Sequence, residues 1–358
     1  MEKIKNGQFY TLRSPFSHPL VQQWFENIPH IHTKNFAEPF AGANNIVKSV
    51  LEARPDIKVS QWQSYDIAPE AIRNNEVPEL ELIQQNTLKN FPQANVVITN
   101  PPYLAKNSAT RMKIDTDYNY GIYQDVYEIA IEQMLNNAEY VAAIIPESFL
   151  TRKFFKKRLF GFVSITDKLF DDTDFPVGIA LWNPEDTEDF DVWVGMNYVG
   201  AYTKIIEQTE LFKINDASLK EVAIKYNIPS GIIGLKAVDN TVEASIEYVE
   251  GSKIDPTNVK VSSRAITRIE VQDKNGNALI DENNLSDFLT TVNEVLNEYR
   301  SQSSDVFLTS FKGLRKDLRY RRRMDWKTSS KIIYVALTRL QLLGKSLQKP
   351  SAPTLFDI

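Results

Sequence analysis

The apolar residues of the first half of the chain fall into short runs, and segments of helical periodicity separate them. The β-branched run from Val96 to Thr99 predicts a buried strand, which two prolines end at once. Similar runs predict further strands, and Ile46–Leu51 and residues 120–138 have the spacing of amphipathic helices. These runs are 61–65, 80–83, 141–145, 162–170 and 178–182, and a further strand ends at the turn of small residues within 35–45. Strands that alternate with helices predict an α/β fold, with a mostly parallel sheet that binds ligands at the carboxyl ends of its strands.

From Phe190 onward this strict alternation fades. Short β-like pieces lie around 192–199, 232–238 and 259–271, and an amphipathic helix runs through Leu285–Tyr299. We therefore expect an α/β first domain over residues 1–188, an α+β second domain over 189–350, and a tail over 351–358.

Composition narrows the class of protein. Hydrophobic residues make up 42% and charged residues 24%, which is typical of a soluble globular chain. The sequence contains neither an apolar run long enough to span a membrane nor a signal-peptide pattern, so we expect a cytoplasmic protein without membrane contact. The absence of cysteine excludes disulfides and zinc thiolate sites. His30 and His32 lack an evident third ligand, so we expect no metal site.

Charge is distributed unevenly along the chain. Residues 301–358 carry 12 Lys and Arg against 4 Asp and Glu, a net +8, while the whole chain carries −5. The segment 311–327 interleaves aromatic residues with cations, a pattern typical of surfaces that contact phosphates and bases. This predicts a DNA-binding second domain with candidate contacts at Arg315, Arg319, Arg321, Arg322 and Arg323.

Three polar motifs follow predicted strands in the first half. The segment Glu38–Asn45 is a turn of small residues around Gly42, and such a turn lets the backbone approach a ligand closely. Asp66 stands at the end of the next strand, 24 residues after Gly42, where a carboxylate can accept hydrogen bonds from both hydroxyls of a ribose. Asn86 and Thr87 follow the third strand. Together these residues predict a nucleotide-like cofactor site.

The fourth motif, Asn100-Pro101-Pro102-Tyr103, ends the Val96–Thr99 strand. Proline has no amide donor, so this turn offers carbonyl groups and few N–H groups. Asn100 adds an acceptor oxygen and Tyr103 adds an aromatic face. The motif therefore suits a substrate that presents an amino group on a planar ring.

In this order, the four motifs resemble the S-adenosylmethionine-dependent amino-methyltransferases, and within them the γ-class DNA adenine methyltransferases of the TaqI type. The resemblance spans about residues 7–185. It implies a Rossmann-like class I fold whose sheet has seven strands with the last antiparallel. A segment with Tyr10 and Thr11 precedes the cofactor turn in this family, and Leu12 stands in it where proline is usual. The sequence also departs from the family pattern at Asn44, where glycine is usual, and at Asn86, where aspartate is usual. Asparagine tolerates positive φ, so the turn at Asn44 can survive.

The resemblance also implies roles for individual residues. Asn100 and the Pro101 carbonyl would accept the hydrogens of adenine N6, and Tyr103 and Phe175 would pack against the flipped base. Lys106, Arg111 and Lys113 lie in a polar segment, 104–120, that we expect to form a mobile loop closing on the DNA backbone. The cofactor S-adenosylmethionine would be bound by Tyr10, Thr11, Glu38, Phe40, Ala41, Gly42, Asp66, Ile67, Asn86, Thr87 and Asn100.

Alternatives remain open from the sequence. The same motif serves enzymes that methylate cytosine N4, guanine N2 of ribosomal RNA or protein glutamine, and a non-catalytic DNA-specificity subunit is a further alternative. The expected partners are duplex DNA and, in a restriction-modification system, a cognate endonuclease; a monomer is the family default.

Overall fold

A computed structural model describes residues 15–113, 119–166 and 176–343. These residues form two compact units. The first holds residues 15–149 and 153–198, and the second holds 150–152 and 199–343. The chain passes between the units at residues 198–199, ten residues beyond the boundary expected from the sequence.

One large sheet forms the centre of the first unit. Its strands in chain order are β1 (Phe36–Glu38), β2 (Trp62–Asp66), β3 (Leu82–Gln84), β4 (Ala94–Thr99), β5 (Ala138–Pro146), β6 (Leu159–Ser164), β7 (Val177–Trp182), β8 (Asp191–Val194) and β9 (Asn197–Ala201). Their order across the sheet is β3-β2-β1-β4-β5-β7-β6-β8-β9, and the chain leaves the first unit within β9.

The pairing of these strands confirms the expected α/β class I fold. Strands β1 to β5 pair in parallel, whereas β7 is antiparallel to both β5 and β6. The expected count of seven strands is wrong, because β8 pairs in parallel with β6 and carries β9 with it as an extension of the sheet. Every residue of β7 and the last seven of β5 are buried, as expected for strands covered on both faces.

The helices of the first unit are α1 (Pro19–Glu26), α2 (Asn45–Ala53), α3 (Pro69–Arg73), α4 (Lys106–Met112) and α5 (Val126–Asn137). Helix α5 begins later than the apolar periodicity indicated. Asp125 caps it and forms a capping box with Glu128, so residues 120–124 precede the helix.

The second unit has an α+β composition. Its helices are α6 (Tyr202–Gln208), α7 (Asp216–Leu219), α8 (Leu285–Ser303) and α9 (Trp326–Arg339). Its strands are β10 (Ala223–Tyr226), β11 (Ile233–Lys236), β12 (Glu247–Glu250), β13 (Ile266–Gln272), β14 (Thr309–Leu314) and β15 (Tyr320–Arg323). The first four form an antiparallel sheet in the order β10-β13-β11-β12, and β14 and β15 form a separate hairpin. No helix in the described ranges is long and apolar enough to cross a membrane.

Candidate functional site

The turn after β1 has the tight geometry that its small residues predict. Gly42 and Asn44 adopt positive φ angles of 51° and 62°. The Ala41 N–H donates to the Tyr65 carbonyl at 2.8 Å, which fixes the turn against the end of β2. Asn44 occupies the N-cap position of α2 without a side-chain cap bond, so the spare N–H groups of this helix lie at the turn.

The Asn44 side chain is fully buried and has a structural role. Its Nδ2 donates to Asn75 Oδ1 at 2.8 Å, and its Oδ1 accepts a hydrogen bond from the Ser64 hydroxyl. Asn44 thus has the positive φ that asparagine was expected to tolerate at this turn, and its side chain also links the start of α2 to β2.

Asn44→Gly and Asn44→Ala are expected to differ in stability. Both variants lose the bonds to Ser64 and Asn75, but alanine keeps a Cβ in the left-handed region and glycine does not, a difference of about 1–2 kcal/mol. Thermal unfolding should therefore give Asn44→Ala a lower midpoint than Asn44→Gly. A midpoint for Asn44→Ala equal to or above that of Asn44→Gly would contradict this account of the turn.

Asp66, at the end of β2, lies directly against the same turn. Its Oδ2 accepts the Gly42 N–H at 2.7 Å and its Oδ1 accepts the Ala68 N–H at 2.8 Å. Burial raises the pKa of this carboxyl, although the two N–H groups oppose the shift. Each carboxylate oxygen accepts more than one hydrogen bond, so Asp66 retains capacity for ligand hydroxyls. Ile67, the next residue, is exposed.

Glu38 occupies the interior at the end of β1. Its Oε1 accepts the Phe40 N–H at 3.1 Å and the Thr99 hydroxyl, so it joins the ends of β1 and β4. Its Oε2 is buried and has no hydrogen-bond partner within the described part of the chain. Burial raises the pKa of Glu38 to about 8. The carboxyl therefore holds its proton at neutral pH.

Glu38→Gln is expected to stabilise the chain at alkaline pH. Below about pH 4.5 the folded and unfolded chains both hold the Glu38 proton, so the group has no effect. Between pH 4.5 and 8 only the folded chain retains it, and folding becomes progressively less favourable as pH rises. Melting curves should show similar midpoints at pH 5 and a gain of about 10 °C for Glu38→Gln at pH 8. An equal shift at both pH values would contradict the raised pKa.

The third motif joins the same cluster. The Thr87 hydroxyl is buried and donates to the Pro39 carbonyl at 2.7 Å, and the Gln85 N–H donates to the Asp66 carbonyl. Asn86 is half-buried between them. The carboxyl ends of β3, β2 and β1 thus bring together the motifs that the sequence placed far apart.

The Asn100-Pro-Pro-Tyr motif leaves β4 beside this cluster. Tyr103 points inward: its hydroxyl lies 2.5 Å from Asn100 Oδ1 and 2.6 Å from the Ile144 carbonyl, and only 8% of the residue is exposed. Its ring meets Tyr127 edge-on, with centroids 6.3 Å apart. Stacking of Tyr103 on a base therefore stays a prediction, and it requires the ring to be uncovered.

Of the segment after the motif, residues 104–113 and 119–120 are described. The expected mobile loop contains helix α4, and Leu104, Ala109 and Tyr120 pack in a buried cluster with Val126. The Leu104 N–H donates to Asp125 Oδ1 at 2.9 Å, and its carbonyl accepts the Tyr120 hydroxyl at 2.9 Å. These bonds fix the chain directly after Tyr103. Lys106, Arg111 and Lys113 are exposed on this segment.

Asp125, which accepts the Leu104 N–H and so fixes the chain after Tyr103, was not among the residues singled out from the sequence. The Asp125-to-Glu128 spacing before an apolar run is a capping-box signal that could have located it. Three residues that were proposed from the sequence lie outside the described residues: Tyr10, Thr11 and Phe175.

The basic segment of the second unit divides into buried and accessible side chains. Arg315 donates to Asp239 and Asp317, and Arg322 donates to Ser310; both arginines are buried. Their guanidinium groups are taken up by side chains of the second unit, and contact of Arg315 and Arg322 with DNA stays a prediction. Arg319 is exposed, and Arg321 and Arg323 are half-buried.

Comparison with known proteins bears on the first unit. Residues 16–175 match the family model described as Eco57I restriction-modification methylase. The matched stretch contains all four motifs, from Glu38 to Tyr103. A search of curated proteins gives no match.

Solved structures with similar folds each share about half of this chain. A protein from Listeria monocytogenes assigned to the class I S-adenosylmethionine-dependent methyltransferases is 16% identical, covers 52% of this chain and 66% of its own, and gives a TM-score of 0.39. The type IIG restriction endonuclease BpuSI is 13% identical over 52% of this chain and 27% of its own, at a TM-score of 0.39. A type I restriction-modification methyltransferase subunit from Streptococcus thermophilus is 15% identical, covers 52% of this chain and 47% of its own, and gives a TM-score of 0.37. The chain thus spans less than two thirds of the length of each of these three proteins.

Proposed function

We propose that the chain is a DNA methyltransferase that uses S-adenosylmethionine to methylate N6 of adenine in duplex DNA. The observation that carries the proposal is the junction of the Asn100-Pro-Pro-Tyr turn with the turn after β1, through the bond from Thr99 to Glu38. An acceptor-rich turn for an amino group and a turn suited to a nucleoside cofactor thereby adjoin one another. The family match of residues 16–175 supports the same reading.

The residues at the ends of β1 to β3 fit this cofactor. Asp66 suits the ribose hydroxyls, the Gly42 turn allows close backbone approach, and Glu38 Oε2, which has no partner among the described residues, is available for a hydrogen bond with the ligand. Phe40, Ala41, Ile67, Asn86 and Thr87 would complete the site, with Tyr10 and Thr11 from the segment that precedes the described residues. When bound, the cofactor supplies an electrophilic sulfonium methyl group.

The chain's own contribution is to orient and activate the acceptor amine. The N6 lone pair of adenine is delocalised into the ring, which makes it a weak nucleophile. Asn100 Oδ1 and the Pro101 carbonyl would accept its two hydrogens and favour a pyramidal nitrogen with a localised lone pair. The localised lone pair would then take the methyl group that the cofactor supplies, and the nitrogen would release one proton to solvent. Positioning and electrostatics supply the rate enhancement.

An adenine inside a duplex cannot reach Asn100, so the base would have to flip out of the helix. The exposed Lys106, Arg111 and Lys113 follow the catalytic turn and suit contacts to the flanking phosphates. In the second unit, Arg319, Arg321 and Arg323 remain candidates for DNA contact.

A competition between acceptors tests the proposal. The full chain is incubated with labelled S-adenosylmethionine and equal masses of mixed-sequence duplex DNA, ribosomal RNA and denatured protein. Label in DNA is the expected result, and label confined to RNA or protein would contradict it. Titration with S-adenosylmethionine alone separates the non-catalytic alternative, because a specificity subunit without a cofactor site would show no saturable binding.

A further inference from the structure

The tip of the β14–β15 hairpin carries an exposed leucine in a conformation that leucine disfavours. Leu318 has a φ of 62°, and 65% of the residue is exposed. Its neighbours Lys316 and Arg319 are also exposed. A bulky residue in the left-handed region is uncommon, and such outliers cluster at functional sites.

The fold explains the conformation but does not explain the leucine. The Leu318 N–H donates to the Arg315 carbonyl at 3.0 Å, which closes a turn over Arg315 to Leu318. The Arg315 N–H donates to the Arg319 carbonyl at 2.8 Å, so a single left-handed residue completes the loop. Glycine is the residue that meets this requirement at least cost. Leucine adds strain and exposes apolar surface without packing in return.

Hydrogen bonds join the hairpin tip to residues outside the hairpin. Arg315 donates from Nε and one terminal nitrogen to the two carboxylate oxygens of Asp317, at 3.1 and 2.9 Å, and from the other terminal nitrogen to the buried Asp239 at 3.0 Å. The Lys316 N–H donates to the Thr241 carbonyl at 3.1 Å. The hairpin tip therefore presents one apolar side chain with Lys316 and Arg319 as the cations near it, while the Asp317 carboxylate between Lys316 and Leu318 is bound by Arg315.

We infer that this hairpin tip, residues 315–319, enters a groove of the DNA, where Leu318 contacts the bases and Lys316 and Arg319 contact phosphates. The inference rests on the proposed DNA substrate and deepens it by naming a residue that determines specificity. Apolar side chains read thymine methyl groups in the major groove or wedge between base steps in the minor groove, and flanking cations neutralise the backbone. The net +8 of residues 301–358 agrees with a polyanionic partner.

The substitution Leu318→Gly separates this role from folding, because the two effects have opposite signs. Glycine relieves the strain, so the melting temperature of the variant should equal or exceed that of the wild type. Its rate of methyl transfer to the preferred sequences of a random duplex library should fall about tenfold, and its sequence preference should broaden. Val261, 95% exposed in the same unit, provides the matched control: Val261→Ala should leave both readouts unchanged.

Salt dependence of duplex binding adds a readout that does not require catalysis. Lys316→Ala and Arg319→Ala should each lower the slope of log K against log salt by about 1, whereas Leu318→Gly should lower affinity and leave the slope unchanged. A Leu318→Gly chain with wild-type affinity and sequence preference would overturn the inference. A wild type that binds DNA but transfers no methyl group would refute the proposed reaction; loss of affinity in Leu318→Gly would still support the hairpin's role.

Discussion

Asn100→Ala is expected to reduce methyl transfer to DNA by about 10²- to 10³-fold, the loss typical when one preorganised group at a reacting centre is removed. The variant removes the side-chain acceptor that we propose for the amino hydrogens and leaves the Pro101 carbonyl as the remaining proposed acceptor. Single-turnover rates at saturating cofactor and DNA measure this directly, since they separate the chemical step from binding.

Asn100→Ser and Asn100→Asp provide the matched comparison. Each keeps a side-chain acceptor, so each should retain more activity than alanine. If alanine, serine and aspartate lost activity equally, the acceptor role of Asn100 would be wrong, and its contact with the Tyr103 hydroxyl would be the better explanation of its importance.

Asp239→Asn is expected to destabilise the second unit by about 3–5 kcal/mol, the usual cost of breaking a buried charge pair. Asp239 is completely buried and accepts from both terminal nitrogens of Arg300, from Arg315, and from the Ser245 N–H. Asn fills the same volume but leaves the two buried guanidinium groups with less negative charge. Hydrogen exchange of peptides from β11 and α8 reports this change within the second unit.

The exposed pair of Asp216 and Lys327 provides the control. Their charged atoms lie 3.1 Å apart but are open to solvent, so Asp216→Asn should leave exchange in β11 and α8 unchanged. Equal effects of the two substitutions would contradict the account of the buried network.

The hydrogen bonds of Asp239 also make the stability of the second unit depend on pH. Burial alone would raise the pKa of Asp239, but Arg300 and the surrounding N–H groups hold it below its ordinary value of 3.8. The carboxylate therefore stabilises the fold above about pH 4, and this contribution is lost as pH falls through the folded-state pKa. The difference between wild type and Asp239→Asn should narrow accordingly below pH 4.

The fold of the first unit could be predicted because its signals are local. The Val96–Thr99 run is fully buried as β4, and the periodicity after Asn44 marks α2. The extension by β8 and β9 could not be predicted, because the pairing of β8 with β6 joins residues about thirty apart and has no distinctive local pattern. Likewise, the polar sequence of 104–120 concealed Leu104 and Tyr120, whose burial depends on contacts with α5.

The candidate site shows the same limit. Glycine, asparagine and proline marked its turns, since these residues have restricted or unusual backbone requirements. The partners of Asn44 at Ser64 and Asn75 lie 20 and 31 residues away, and nothing in their spacing indicates a bond. In the second unit, the charge of the basic segment could not by itself separate the buried Arg315 and Arg322 from the exposed Arg319.

The most direct test of the central claim is nucleoside mass spectrometry of duplex DNA after incubation with the full chain and isotopically labelled S-adenosylmethionine, with Asn100→Ala in parallel. The account predicts labelled N6-methyladenine that falls to near background in the variant. Labelled N4-methylcytosine would contradict the proposed base, and N6-methyladenine formed equally by both proteins would contradict the role of the Asn100-Pro-Pro-Tyr turn.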